Sequence, residues 1–511
     1  MEQFKLFITC ILILVSQISL ANDAKTNVLL ITADDLGYEA VGSLTLDTGL
    51  PSLTPNIDAF AKKGYQFKNA HVNTPICQPS RSIIATGQYG INSGMMGFFH
   101  MKKRSATVMQ TLSDNGYITG VLGKVSHSTP DMAYQWDYVH DYSDLGAGRS
   151  PEKYYQFSKE FFQRSKKQNK AFYMMINSHD PHRGFHDPEK PMKNAAIPSK
   201  LFSSEQVIVP KYLSDTPQVR KELSHYYNSV RRLDDTFARV LQALNESGMA
   251  DNTLVVFLSD NGSAFPFAKA NAYLASTKTP WIVQWPQGKI KSSYVNEIDF
   301  IASIDFFPTV LDVLNLKIPE SVDGRSILPL LKGEKQSNRN EVYTQIDYKI
   351  GGPATPMRSI QDSEFGYIFN PWSTVGANYR NSNEGEITKK WKTSGDKGQL
   401  ERLRMFRERE VEEFYDLQAD PHSVNNLINN PEYQARINAY RQRLVKWMKE
   451  NSDPVLALYQ LKEQPQKMII MLKKDFPSKA QLTPEQQRLA KQKKKQEKAN
   501  KNKNQRKSKD H

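Results

Sequence analysis

The 511-residue sequence predicts an α/β protein: a large doubly wound sheet flanked by helices, with a smaller α+β subdomain behind it. Three observations carry that expectation. Four continuous apolar runs have the length of strands buried on both faces, as in a parallel sheet covered by helices. Amphipathic helical patterns lie between those runs. After about Gly333 the texture changes to short strands and turns.

Residues 1–21 read as a secretory signal, with Lys5 at the start, an apolar stretch over 6–20 and small residues around Ser19-Leu20-Ala21. Cys10 lies inside the apolar stretch, where a lipoprotein cysteine does not, and cleavage leaves Cys77 as the single cysteine of the mature chain. The first strand is 27–32. A helix then opens at Thr54-Pro55 and closes at Gly64, with a capping residue, a first-turn proline and a terminating glycine. Further strands follow at 117–122, 171–176 and 253–258. A long helix over 223–249 sets Tyr226, Val230, Leu233, Phe237, Val240 and Leu244 on one stripe, and a shorter one covers 307–314. The main domain is therefore expected over 22–335. The subdomain, 336–455, carries strands at 341–346, 365–369 and 413–417, a polar stretch at 373–410 and a helix over 431–451. The remainder, 456–511, reads as a basic, largely disordered tail.

Composition sets the outer limits. An apolar fraction of 39% supports a large packed core and excludes wholesale disorder. Two cysteines exclude a disulfide scaffold or a four-cysteine zinc site. No later apolar run approaches the ~20 residues that cross a bilayer, so no integral membrane segment is expected. The charge is concentrated: residues 479–511 hold +9 of the net +14. Such a tail fits contact with a polyanion, and equally a solubilising role. Nucleic acid is not an expected partner, because no base-reading motif accompanies the lysines.

Every predicted strand of the main domain delivers polar residues at its carboxyl end, where open α/β sheets bind ligands. The ends carry Asp34-Asp35, Lys124 with His127, His179-Asp180-Pro181-His182, and Asp260-Asn261. Either acidic pair alone is more often a turn or helix cap. Together, three carboxylates and an amide form the oxygen-rich set that a hard divalent cation such as Ca2+ takes. Cys77 sits in Cys77-Gln78-Pro79-Ser80-Arg81, where Pro79 and Ser80 suit a helix start, and the ordinary chemistry of that position is a low-pKa thiolate.

Cys-x-Pro-Ser-Arg followed by Thr86-Gly87 resembles the signature of the type I sulfatases, within the alkaline-phosphatase-like superfamily. The resemblance runs over about 27–451. It takes in Asp34-Asp35, Gly123-Lys124, Asp260-Asn261-Gly262 and Gly324-Arg325-Ser326. Through His179-Asp180-Pro181-His182-Arg183, Pro356-Met357-Arg358 and Lys269 it is most similar to sulfamidase-like (heparan N-sulfatase-like) members. The resemblance implies a large mixed sheet and a sulfatase acting on O-sulfate esters, or N-sulfates, of a sulfated oligo- or polysaccharide. It implies one Ca2+ per chain on Asp34, Asp35, Asp260, Asn261 and residue 77. Cys77 would be converted to formylglycine by a formylglycine-generating maturation enzyme, and its hydrated aldehyde would attack sulfur. Arg81, Lys124 and Lys269 would neutralise the sulfuryl oxygens, His179 would protonate the leaving group and His127 would act as base for sulfate release. His182, Arg183 and Arg358 are expected to bind substrate. The protein would be exported, periplasmic or secreted, and work in polysaccharide degradation.

One departure is visible. The common Lys-x-His becomes Lys124-Val125-Ser126-His127, which leaves the base for sulfate release open. Two other readings stand beside the sulfatase: a phosphoester or phosphonate hydrolase of the same superfamily, and a polyanion-binding protein without catalysis. Segments 184–210 and 373–410 are expected to shape the pocket.

Overall fold

The computed structural model describes residues 25–44, 52–101, 105–349, 353–373, 378–381 and 383–476. The predicted signal at 1–21 and the tail from 477 lie outside these residues. Eight strands form the main sheet: β1 (Asn27–Ala33), β2 (Tyr65–His71), β3 (Ile118–Leu122), β4 (Tyr138–His140), β5 (Phe172–Asn177), β6 (Thr253–Ser259), β7 (Trp281–Gln284) and β8 (Tyr294–Ala302). Their order is β4-β3-β5-β1-β6-β7-β2-β8. The four apolar runs are the contiguous parallel centre, β3-β5-β1-β6. Strand β7 runs antiparallel to both its neighbours and makes the sheet mixed.

Alternation along the central strands divides the interior into two layers. Leu29, Ile31 and Ala33 face one core, filled by α1 (Pro55–Lys63), α3 (Pro151–Gln168) and α4 (Pro217–Ser247). Val28 and Leu30 face the other, filled by α2 (Cys77–Thr86) and α5 (Phe306–Val313). Helix α4 starts six residues before the predicted 223, because the Thr216 hydroxyl accepts from the Val219 N–H and Pro217 follows at once. At α1 the first-turn amides are satisfied by α4: Asp234 Oδ1 accepts from the N–H of Ile57 at 2.8 Å and of Asn56 at 3.1 Å. This contact ties two helices of one layer together.

The second sheet is an antiparallel meander of β9 (Glu341–Ile346), β10 (Met357–Asp362), β11 (Phe365–Phe369) and β12 (Glu412–Asp416), in the order β12-β11-β10-β9. The polar stretch before β12 folds into α6 (Ile387–Thr393) and α7 (Lys397–Glu408), anchored by buried Trp391 and Phe406. Helix α8 (Gln434–Glu450) packs on β10 and β11.

The expectation of a disordered tail from 456 is corrected over 456–476. This stretch forms α9 (Val455–Tyr459) and α10 (Pro465–Asp475), with Val455, Leu458, Met468, Leu472 and Phe476 buried in the core. Lysines flank an apolar stripe here, and burial of that stripe overrides the average composition. Leu458→Ala is accordingly expected to destabilise the fold by about 2–5 kcal/mol, read as a lower denaturant midpoint. Among the described residues no helix is long and apolar enough to cross a membrane.

Candidate active site

Adjacent parallel strands bring two acidic segments to one point. Strands β1 and β6 pair in register up to Ala33 opposite Ser259, and Asp34-Asp35 and Asp260-Asn261 follow directly. All four side chains are completely buried. Oxygens of the three aspartates lie within 4.8 Å of one another. The Asp35 N–H donates to Asp260 Oδ1 at 3.1 Å, and Asn261 Nδ2 donates to Asp35 Oδ1 at 2.7 Å. Asp35 holds this position at φ 70°, a left-handed conformation costing a non-glycine residue on the order of 1–3 kcal/mol.

Three cations answer the three carboxylates. Arg81, fully buried, sets Nε 2.9 Å and Nη2 2.8 Å from Asp260 Oδ2, and donates through Nη1 to Thr32 Oγ1 at 2.8 Å. Lys124 pairs with Asp34, and Lys269 with Asp35. The formal charge of this direct-contact set is zero. Asp35 Oδ2 and Asn261 Oδ1 are nevertheless buried without a hydrogen-bond partner among the described residues. An all-oxygen donor set with unused lone pairs fits a hard divalent cation.

Cys77 closes the ring. Its thiol lies 3.3 Å from Asp34 Oδ1 and 3.1 Å from Lys269 Nζ. Helix α2 begins at Cys77, two residues before the predicted Pro79-Ser80 start, and all ten of its residues are buried. Burial first, and then the Asp34 carboxylate, push the thiol well above its ordinary pKa in spite of Lys269. The low-pKa thiolate that a helix start favours is not met here, because burial, with the Asp34 carboxylate second, pushes the thiol the other way. Burial also raises Asp260, to about 7 even with Arg81 opposing. Asp34 goes the other way: burial raises it, but Lys124, His182, Arg81 and Lys269 together hold it well below the usual carboxylate range.

Three histidines surround this centre. His127 rides a helical turn over Val125–Ser128, entered through left-handed Gly123 (φ 73°) and Lys124 (φ 48°), so the extra residue in the Lys-to-His spacing is absorbed. Its Nδ1 has no hydrogen-bond partner among the described residues. Burial and then Lys124 depress its pKa to about 3. His179 is held well below its ordinary value by the same two causes. Gly148 backs the His179 ring at φ 68°, and a Cβ there would stand 2.0 Å from His179 Nδ1. His182 Nε2 is 3.8 Å from Asp35 Oδ2.

A cavity of about 50 Å³ opens on the centre, lined by Cys77, His127, His182 and Lys269 together with Phe98, Lys349, Asn381 and Asn383. The structure thus brings together Asp34, Asp35, Cys77, Arg81, Lys124, His127, His182, Asp260, Asn261 and Lys269, with His179 in the electrostatic field of the same group. Arg81 spends its fork on Asp260 and does not line the cavity, so its contact is with a site carboxylate.

One predicted substrate contact is corrected. Arg358 is fully buried, bonded to Asp347 at 2.8 Å and Asp453 at 2.5 Å, and has no open face. Two carboxylates on neighbouring segments claim its guanidinium. Arg183 pairs with Glu222 at 2.9 Å, donates to the Ala264 carbonyl at 3.0 Å and packs over Phe185 and Phe265. It braces the pocket loop on α4. Lys349, Asn381 and Asn383 were not singled out from the sequence; the asparagine-rich run from Asn378 to Asn383, inside the expected pocket segment, was the signal that pointed to part of them.

Comparison with known proteins gives consistent matches. A family model described as Sulfatase matches residues 26–316, and one described as N-sulphoglucosamine sulphohydrolase, C-terminal, matches 263–370. The N-sulphoglucosamine sulphohydrolase of Homo sapiens is 28% identical over 482 residues, covering 87% of this chain and 94% of the relative. A solved structure described as a complex with its substrate D-glucosamine-2-N,6-O-disulfate aligns at TM-score 0.61 and 18% identity, over 84% of this chain and 99% of the other. A phosphonate monoester hydrolase of Agrobacterium radiobacter aligns at TM-score 0.61 and 17% identity, over 84% and 96% of the two chains.

Proposed function

The chain belongs to the sulfatase family, and from that membership we propose that it is an exported, Ca2+-dependent sulfatase that hydrolyses O-sulfate esters or N-sulfates of a sulfated oligo- or polysaccharide, with Cys77 converted to formylglycine. Sulfuric ester hydrolysis is the family's activity. The observation that carries the finer reading is the position of Cys77, in contact with Asp34 and Lys269 inside a ring of buried carboxylates.

Asp34, Asp35, Asp260 and Asn261 would hold the cation, which when bound neutralises sulfuryl charge and lowers the pKa of an adjacent hydroxyl. The charge count supports an anionic substrate, since a divalent ion added to a neutral set leaves +2 for a sulfate to meet. Lys269 and Lys124 stand where they can share negative charge developing on sulfuryl oxygens, and Arg81 holds Asp260 in place. Neutral His127, on the cavity wall with a free Nδ1, is suited to accept a proton from a hydroxyl on residue 77. His179 serves the leaving group as a hydrogen-bond donor, and the negative charge of bound sulfate raises its capacity to carry the proton. His182 completes the wall beside Asp35. A maturation enzyme acting on Cys77, and polyanion contact through 479–511, belong to the same proposal.

Peptide mass spectrometry across Cys77, with paired aryl sulfate and aryl phosphate assays, tests this reading. Conversion of Cys77 and a sulfate preference are expected, and chelation should remove activity reversibly. A large phosphate preference would move the enzyme to the phosphoester side of the superfamily. Undiminished turnover in metal-free buffer would sink the cation site. Gly148→Ala is expected to lower kcat/KM on aryl sulfate by about 100-fold, because it must displace the His179 ring by more than 1 Å; an unchanged circular dichroism spectrum separates this from unfolding.

A further inference from the structure

Lys349 is a cation in the subdomain with no ion-pair partner among the described residues. Its Nζ lies 3.2 Å from Thr355 Oγ1 and 3.9 Å from the centre of the Tyr379 ring, and among the described residues no carboxylate is within ion-pair distance. Nearby Arg358 is provided with two carboxylates, Asp347 and Asp453. Arg407, close by, is paired with Glu384. A half-buried ammonium left with a hydroxyl and a ring bears an uncompensated desolvation cost, which an incoming anion removes. Burial, then Arg409, with Arg407 also contributing against Glu384, depresses Lys349 to about 7.

Its place gives this lone charge a use. Lys349, Asn381 and Asn383 line the same cavity as Cys77, His127, His182 and Lys269, and Asn381 Nδ2 donates to the Lys269 carbonyl at 3.2 Å. At about 50 Å³ that cavity has no room for a sugar ring, so a saccharide enters it only with its substituents. Asn381 also lines a second, much larger cleft of about 790 Å³, bordered by the basic residues Arg380, Lys389, Lys392, Arg404 and Arg407 together with the acidic Glu384, Glu386 and Glu408. A saccharide has space there, and its charged substituents would reach inward past Asn381.

We propose that Lys349, with the amides of Asn381 and Asn383, forms a second anion site that takes a carboxylate or a further sulfate carried by the saccharide whose sulfate is being cleaved. The substrate class is thereby narrowed to sugars bearing two anionic groups close together. The proposal rests on the sulfatase reading for its catalytic consequence, while the binding site stands on the cavity itself.

The test compares Lys349→Met, which keeps the stem over Tyr379 and removes the charge, with the wild-type holoenzyme. Substrates are p-nitrophenyl sulfate, glucosamine 6-sulfate, glucosamine-2-N,6-O-disulfate and a monosulfated uronate disaccharide. The loss in kcat/KM on at least one doubly anionic substrate is expected to exceed the loss on the singly anionic ones by roughly 10- to 100-fold. Which of the two arms shows it identifies the second anion as sulfate or carboxylate, and Lys349→Arg should restore part of the ratio. Equal losses on all four substrates, or no loss on any, would overturn the proposal. Calorimetric binding of the disulfate and of the desulfated uronate disaccharide is measured on both proteins. If the wild type turns over no sulfate at all, the sulfatase reading fails, and a tenfold weaker affinity of the variant still upholds the anion site. Equal affinities for both ligands reject it.

Discussion

Cys77→Ala is expected to lower turnover of an aryl sulfate by at least about 10⁴-fold while leaving the melting temperature close to that of the wild type. The size of the effect follows from position. Residue 77 touches Asp34 and Lys269 and also faces the cavity. The small stability effect follows from chemistry: the thiol is pushed toward its neutral form, so the substitution removes no buried charge. Activity among wild-type preparations should scale with the fraction of formylglycine found by mass spectrometry. Turnover undiminished in the alanine variant would reject residue 77 as the nucleophile.

Arg81→Met is expected to damage both stability and chemistry. The guanidinium is the direct counterion of Asp260, and neither side chain is accessible to water. Removing it leaves a buried carboxylate unpaired, which typically costs about 3–5 kcal/mol and is read as a lower denaturant midpoint. Asp260 is already raised to about 7 with the arginine present, so losing its counterion weakens it further as a cation ligand. Activity should fall by about 10³-fold. The double variant Arg81→Met, Asp260→Asn should regain much of the lost stability and none of the activity, because the unpaired charge is gone but the ligand is not restored. A fully active Arg81→Met protein would show that the pair has no part in the site.

The centre of the main sheet was legible because β1, β3, β5 and β6 are buried on both faces and therefore apolar throughout. The outer strands were not. β8 is continuously buried only over Phe300–Ala302, and β4 has three residues, none fully buried. Neither leaves a continuous apolar run. The same logic divides the site. Asp34, Asp35, Asp260 and Asn261 stood out as polar residues ending apolar strands, a pattern that neighbouring strands convert directly into proximity. Arg358 and Lys349 show where such reasoning ends. Both are basic residues of the subdomain, and only three-dimensional pairing reveals that Asp347 and Asp453 claim the first and no described carboxylate claims the second. Helices α9 and α10 were hidden for another reason: lysine-rich flanks lower the average around a short apolar face that the fold buries.

The enclosure of α2 sets an order of events. Cys77 is 3% exposed at the head of a helix with no accessible residue, so an enzyme that oxidises it must take the segment as an extended strip before the helix docks beneath the sheet edge. The proposed conversion would therefore compete with folding in time. Chains that fold first would be locked as stable, silent copies, and raising the supply of the oxidising enzyme afterwards would not recover them.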